Sequence, residues 1–185
     1  MQVLILGLVL WTAAHLVRRV LPGLRARLGE GPGKMLVAVL SLAALFLIVI
    51  GYRRAEIDPV YTPMAGIGHL NNLLMLIALF LFGVSHSKGQ VKAMIRHPML
   101  WSVVIWAVAH LLVNGDLASL VMFGWLGLWA LVEIVLINAQ AEWKRPAPGP
   151  LRSDAIALVI ALVLYGLIAG VHIWLGYNPF QGTYG

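Results

Sequence analysis

Six histidines stand in a chain that otherwise offers little polarity. His15, His69, His110 and His172 each fall within or just inside an apolar run, whereas His86 and His97 lie at run ends. An ionisable group inside a membrane is costly and as a rule faces a bundle interior or a functional site. One such histidine is as readily a neutral imidazole bonded to a neighbouring carbonyl as a ligand. Four together favour a shared chemical purpose. The chain has no cysteine, which excludes disulfides, thiolate metal sites and iron–sulfur clusters. Haem b suits what is left, since it asks for one or two neutral imidazoles and an apolar pocket. Zinc held by three histidines would want a wetter site with an open water position. A di-iron centre needs several carboxylates, and the apolar runs contain one between helix ends, Glu133.

The densest stretch runs from Arg96-His97-Pro98 through Ala109-His110 to Asn114-Gly115-Asp116. Proline is tolerated in a first helical turn, so a helix is expected from Pro98 to about Val113. His110 then stands roughly 20 Å along the axis from His97, at about 1.5 Å per residue, and on nearly the opposite face. These two histidines cannot share a site unless other helices bridge them. Trp11 precedes His15 by four residues and Trp106 precedes His110 by four, which puts each indole on its imidazole's face. Such rings would wall a porphyrin; tryptophan filling a membrane core is the plainer use of them. His69 and Asn72 share a face, with Asn71 beside them. Glu133 reads equally as a partner fixing a histidine tautomer or as a structural acceptor.

Six apolar runs position these residues: about 2–18, 35–51, 67–84, 98–113, 117–138 and 154–176. Each approaches the roughly 17–25 residues of a spanning helix. With 61% hydrophobic and 11% charged residues, the chain has about half the charge of a soluble domain. The expectation is one all-α polytopic membrane bundle over 1–185, with six transmembrane helices and lipid around it. Of the 13 basic residues, Arg53 and Arg54 alone fall on one side of that arrangement. Positive charge stays cytoplasmic, so both termini are expected in the periplasm. The net charge of +6 is thereby explained without nucleic acid. The start lacks a basic n-region and a cleavage signature and reads as a retained anchor. Leu21-Pro22-Gly23, Gly29 to Gly33 and Pro146 to Pro150 break the helices. Gly166 and Gly170 form a GxxxG that either allows close helix approach or reflects only the abundance of small residues in membrane helices. Tyr177 to Tyr184 has the character of an interfacial anchor.

Gly68-His69-Leu70-Asn71-Asn72-Leu73, the Lys92 to Leu100 run and Trp106 to Ser119 resemble the NnrU family along nearly the whole chain. The resemblance implies a bacterial inner-membrane protein associated with denitrification and nitric oxide metabolism. NnrU proteins are in turn similar to the plant and cyanobacterial 15-cis-ζ-carotene isomerase, an integral membrane haem b enzyme under redox control. That likeness implies His15 and His110 as haem ligands, with Gly29-Glu30 and Arg96-His97-Pro98 matching its motifs. The isomerase pattern has a cysteine three residues before the second ligand. Ala107 stands there in this chain, so a thiolate ligand switch has no residue to supply it. Arg-His-Pro opening a membrane helix is also similar to isoprenylcysteine carboxyl methyltransferase-like enzymes. That likeness implies S-adenosylmethionine binding, although the region from Trp143 to Asp154 departs from their pattern.

Three functions therefore compete. The first is a haem b redox protein or redox-dependent isomerase-like enzyme with a redox partner. The second is a non-catalytic assembly or regulatory partner of a nitrogen-oxide reductase. The third is a membrane methyltransferase. For the first, His110 is the expected ligand, His15 the partner that the resemblance implies, and His69 the geometric alternative. His97, Arg96, Asn72, Trp106, Glu133 and His172 are expected around the pocket. In a six-span topology His15 and His110 differ in depth by roughly 10–15 Å, while His69 and His172 share the depth of His110.

Overall fold

The computed structural model describes residues 1–20, 23 and 29–180, without the side chains of Arg18 and Glu30. Leu21-Pro22, the stretch 24–28 with Arg25 and Arg27, and the tail 181–185 lie outside the described residues. The described residues form seven helices and no strand: α1 (Gln2–Val20), α2 (Glu30–Arg53), α3 (Gly68–His86), α4 (Gln90–Met94), α5 (Pro98–Val113), α6 (Leu117–Gln140) and α7 (Leu151–Trp174). Four of them, α2, α3, α6 and α7, are long and apolar enough to cross a membrane. The other two apolar helices, α1 and α5, are shorter. The apolar runs became the helices expected of them, and α4 is an additional turn of helix that the sequence did not announce. Many of the large apolar side chains on these helices are exposed, among them Phe46, Val135 and Leu167. Lipid is the solvent that such a surface fits.

The helices pack in the order α2–α1–α6–α5–α3–α7. Close approach at the first of these contacts depends on two glycines that face the neighbouring backbone. A Cβ on Gly7 would lie 2.7 Å from the Ile48 amide nitrogen, and one on Gly51 would lie 2.6 Å from Leu4 Cα. Small residues allow this packing where no hydrophobic force draws membrane helices together. The GxxxG of α7 has no such role within the chain, since a Cβ on Gly166 or Gly170 meets nothing within 4 Å.

Asp116 caps α6, accepting from the Ser119 amide at 2.9 Å as an N-cap carboxylate does. The loop after α2 crosses this turn. Val60 and Tyr61 donate backbone N–H groups to Gly115 O at 2.7 and 3.0 Å, and Leu117 N donates to Asp58 O at 2.8 Å. The Tyr61 hydroxyl donates to Asn114 O at 3.0 Å. Burial first, and then the charge of Asp116, hold that phenol above its usual pKa, which keeps it a donor.

At the opposite end, the basic end, Asp154 is buried with 6% of its surface exposed. Its carboxylate accepts from the amides of Gln90 (2.7 Å) and Val91 (3.4 Å), capping α4 from α7. Arg145 Nε donates to Ala93 O at 2.6 Å and ties the proline-rich connector to the same place. Asp154→Ala leaves two amides without their acceptor. Its expected cost is about 1–3 kcal/mol, read as earlier thermal unfolding in detergent, whereas the nearby exposed Arg152→Ala is expected to have little effect.

Candidate functional site

The described histidines separate into two kinds. In His15, His110 and His172 the Nδ1 atom sits 2.8, 2.9 and 2.8 Å from the carbonyl oxygen four residues earlier: Trp11, Trp106 and Ile168. A carbonyl can only accept, so in each neutral ring Nδ1 carries the proton and Nε2 keeps its lone pair. This is the arrangement by which metal-ligating histidines are oriented from behind. His69 and His86 are exposed. His97 Nε2 lies 2.9 Å from Asn138 Oδ1.

His110 occupies the best-walled position. Its ring stacks on Phe123 at 4.5 Å and 20° and tilts against Trp106 at 5.2 Å. Trp106 in turn meets Phe123 edge-on at 4.9 Å. Phe123 belongs to the main apolar cluster with Leu4, Leu8, Ile48 and Met122. Just beyond it, the Tyr52 hydroxyl and Ser119 Oγ are 2.8 Å apart, and Ser119 Oγ donates to Asp116 Oδ2 at 2.5 Å. His172 stands close enough to His110 for the two imidazoles to interact electrostatically. The segment after α7 folds back over α3, where Asn72 Nδ2 donates to Pro179 O at 2.5 Å. Beside it Asn71 is buried, and its Oδ1 has no hydrogen-bond partner.

His15 stands elsewhere. Its ring packs 4.3 Å from Trp11 and 5.1 Å from Trp129, six residues along α6 from Phe123. That is about 9 Å of axial distance, so the His15 and His110 rings lie at different depths. Glu133 does not reach a histidine: its Oε2 is 3.5 Å from Arg19 Nε, with side-chain exposures of 8% and 28%. Arg96 and His97, expected at a pocket, are bonded to the end of α6. Arg96 donates to the carbonyls of Ile137 and Ala141, as cations do at helix C-termini, and His97 pairs with Asn138. Together they fix the start of α5 against α6.

Arg19 and Trp129 did not emerge from the sequence. Their signal was present as a matched spacing: Trp11, His15 and Arg19 recur every four residues on α1, and Trp125, Trp129 and Glu133 do so on α6. Such runs put each set on one helix face. Neither run shows which other helix it will meet.

Groups of three or more histidine, cysteine or carboxylate residues placed to hold a bare metal ion are absent among the described residues. What the bundle presents is paired imidazoles among aromatic rings. All-helical architecture, four helices fit to span a membrane and lipid-compatible surfaces define a polytopic membrane protein. The chain belongs to the NnrU family, whose description, NnrU protein, matches residues 3–179. No curated protein and no solved structure matches it.

Proposed function

We propose that this chain is a membrane haem b protein that exchanges electrons, with His110 as one axial ligand and His172 as the other. The observation that carries the reading is the shared anchoring of Nδ1 in the intramembrane histidines, which leaves Nε2 of each neutral ring free. The fit to haem rests on the donor set and its walls. His110 has Trp106 and Phe123 beside it, and His172 is its electrostatic neighbour. Arg53 and Arg54 are the lysine or arginine residues at this end among the described residues and are exposed, suited to the propionates. Haem held there supplies one-electron chemistry at iron. The chain's own part is to orient two imidazoles, exclude water with Trp106 and Phe123, and close that end with the Asp58–Tyr61 strap.

His172 is preferred over His15 because of depth, and over His69 because His69 is exposed. The resemblance favours His15, so the variants must be compared side by side. Low-spin haem is expected to survive His15→Ala and His69→Ala and to be lost in His172→Ala. A role in nitric oxide metabolism, at the bacterial inner membrane and with a redox partner, is the biological setting that the family likeness supports. Isomerase chemistry depending on a thiolate has no cysteine to use. Purification under haem-sufficient conditions is expected to give about one extractable haem b per chain. Colourless protein that binds S-adenosylmethionine would favour the methyltransferase, and protein that binds neither would favour an assembly or regulatory partner.

The reading includes six spans with both termini in the periplasm, supported by the placement of the basic residues. Reporter fusions at Arg27, Gly89 and Pro148 are expected to report cytoplasm, and fusions at Asp58 and after Tyr184 periplasm. A cytoplasmic C-terminus would overturn this topology.

A further inference from the structure

The seam between α1 and α6 contains two buried donors without acceptors. Trp11 Nε1 and Trp129 Nε1 make no hydrogen bond, and Trp129 is only 8% exposed. A third indole on the seam shows the usual outcome: Trp125 Nε1 donates to Thr12 Oγ1 at 2.9 Å. The rings of Trp11 and Trp129 meet edge to face at 5.5 Å, with His15 against both. A ring face is a weaker acceptor than oxygen, so both donors remain open to a better partner. His15 adds a lone pair at Nε2, since Nδ1 is bound to Trp11 O.

Depth and surroundings narrow the ligand. Trp11 is the middle residue of α1 and Trp129 stands at the middle of α6. Phospholipid esters and fatty-acid carboxylates belong nearer the interface, and an added anion at mid-depth would be costly. The acceptor that fits is a neutral carbonyl on a molecule dissolved in the bilayer interior. Along the same two helices runs an open groove of about 380 Å³ lined by Val9, Thr12, Ala13, Leu16, Val17, Val20 and Trp125, almost wholly apolar. Polar donors beside an apolar groove match a polar ring with a hydrocarbon tail.

We propose that the α1–α6 seam binds a lipophilic quinone, with the Trp11 and Trp129 indoles donating to its ring oxygens and its tail lying in the Val9–Val20 groove. His15 Nε2 accepts from a hydroxyl when the ligand is the quinol, so both oxidation states find partners. The proposal names a partner class for the electron-exchange reading, but the site stands on its own geometry.

The test follows the indole N–H resonances of the full-length protein in detergent during titration with a decyl-tailed benzoquinone. The Trp11 and Trp129 signals are expected to move downfield and saturate, while that of the exposed Trp174 stays in place. Decanol, with the tail but no ring, and a fatty acid are expected to leave them unmoved. Replacing both residues, Trp11→Phe with Trp129→Phe, keeps two aromatic rings and is expected to weaken binding about tenfold, the scale of two neutral hydrogen bonds. Unmoved signals, an equal response to decanol, or unchanged affinity in the double variant would overturn the proposal. Signals already at a hydrogen-bonded position and insensitive to quinone would mark a trapped water and overturn it as well. Haem content is measured separately on the same sample. Quinone binding by haem-free protein would therefore remove the haem reading and keep this one.

Discussion

His110→Ala is expected to abolish low-spin haem while the protein still inserts and stays folded. The ring lies between Phe123 and Trp106, and its Nδ1 is held by the Trp106 carbonyl, so nothing adjacent can supply an imidazole in its place. Truncation leaves a space bordered by two aromatic side chains, with a packing cost on the order of 2 kcal/mol. That cost is separable from ligation by comparison with His110→Leu, which restores volume without a donor. Both variants are expected to lose the low-spin bands, and the leucine variant to regain thermal stability. Low-spin haem in either variant would remove His110 from the iron.

Gly51→Leu is expected to have the largest effect on stability. Any Cβ at this position overlaps the Leu4 backbone, and backbone cannot move aside as a flexible side chain can. Helices α1 and α2 would have to separate, and Leu4 and Leu8, both fully buried, would lose their packing. The expected destabilisation is roughly 3 kcal/mol, the upper end of overpacking costs, measured as loss of thermal stability in detergent. Gly166→Leu, made where a Cβ meets nothing, is expected to change stability by less than about 0.5 kcal/mol. Equal behaviour of the two variants would contradict the described α1–α2 packing.

These two glycines show what the sequence could reveal and what it could not. The apolar runs located the major helices because burial in lipid makes hydropathy a direct record of span position. GxxxG in α7 carried the familiar spacing and faces open space, whereas Gly7 and Gly51 lie on different helices, with no spacing to connect them. The same limit applies at the site. Four-residue spacing correctly placed Trp106 over His110 and Trp11 over His15, because one helix sets that geometry alone. The pairing of Glu133 with Arg19 joins residues more than a hundred positions apart, and only the packing of α1 against α6 creates it. Arg96 and His97 drew attention as a motif, yet their contacts are with the last carbonyls and Asn138 of α6. Charge at a helix start can serve a neighbouring helix end as well as a ligand, and residue type alone does not separate those uses.

The central claim is that His110 and His172 hold one haem b. The reduced-minus-oxidised optical spectrum of the purified wild-type protein tests it most directly. A Soret band with α and β bands that sharpen on reduction is expected, unchanged in His15→Ala and absent in His172→Ala. A wild-type protein without a Soret band after purification with ample haem, or a His172→Ala variant with the full low-spin spectrum, would contradict it.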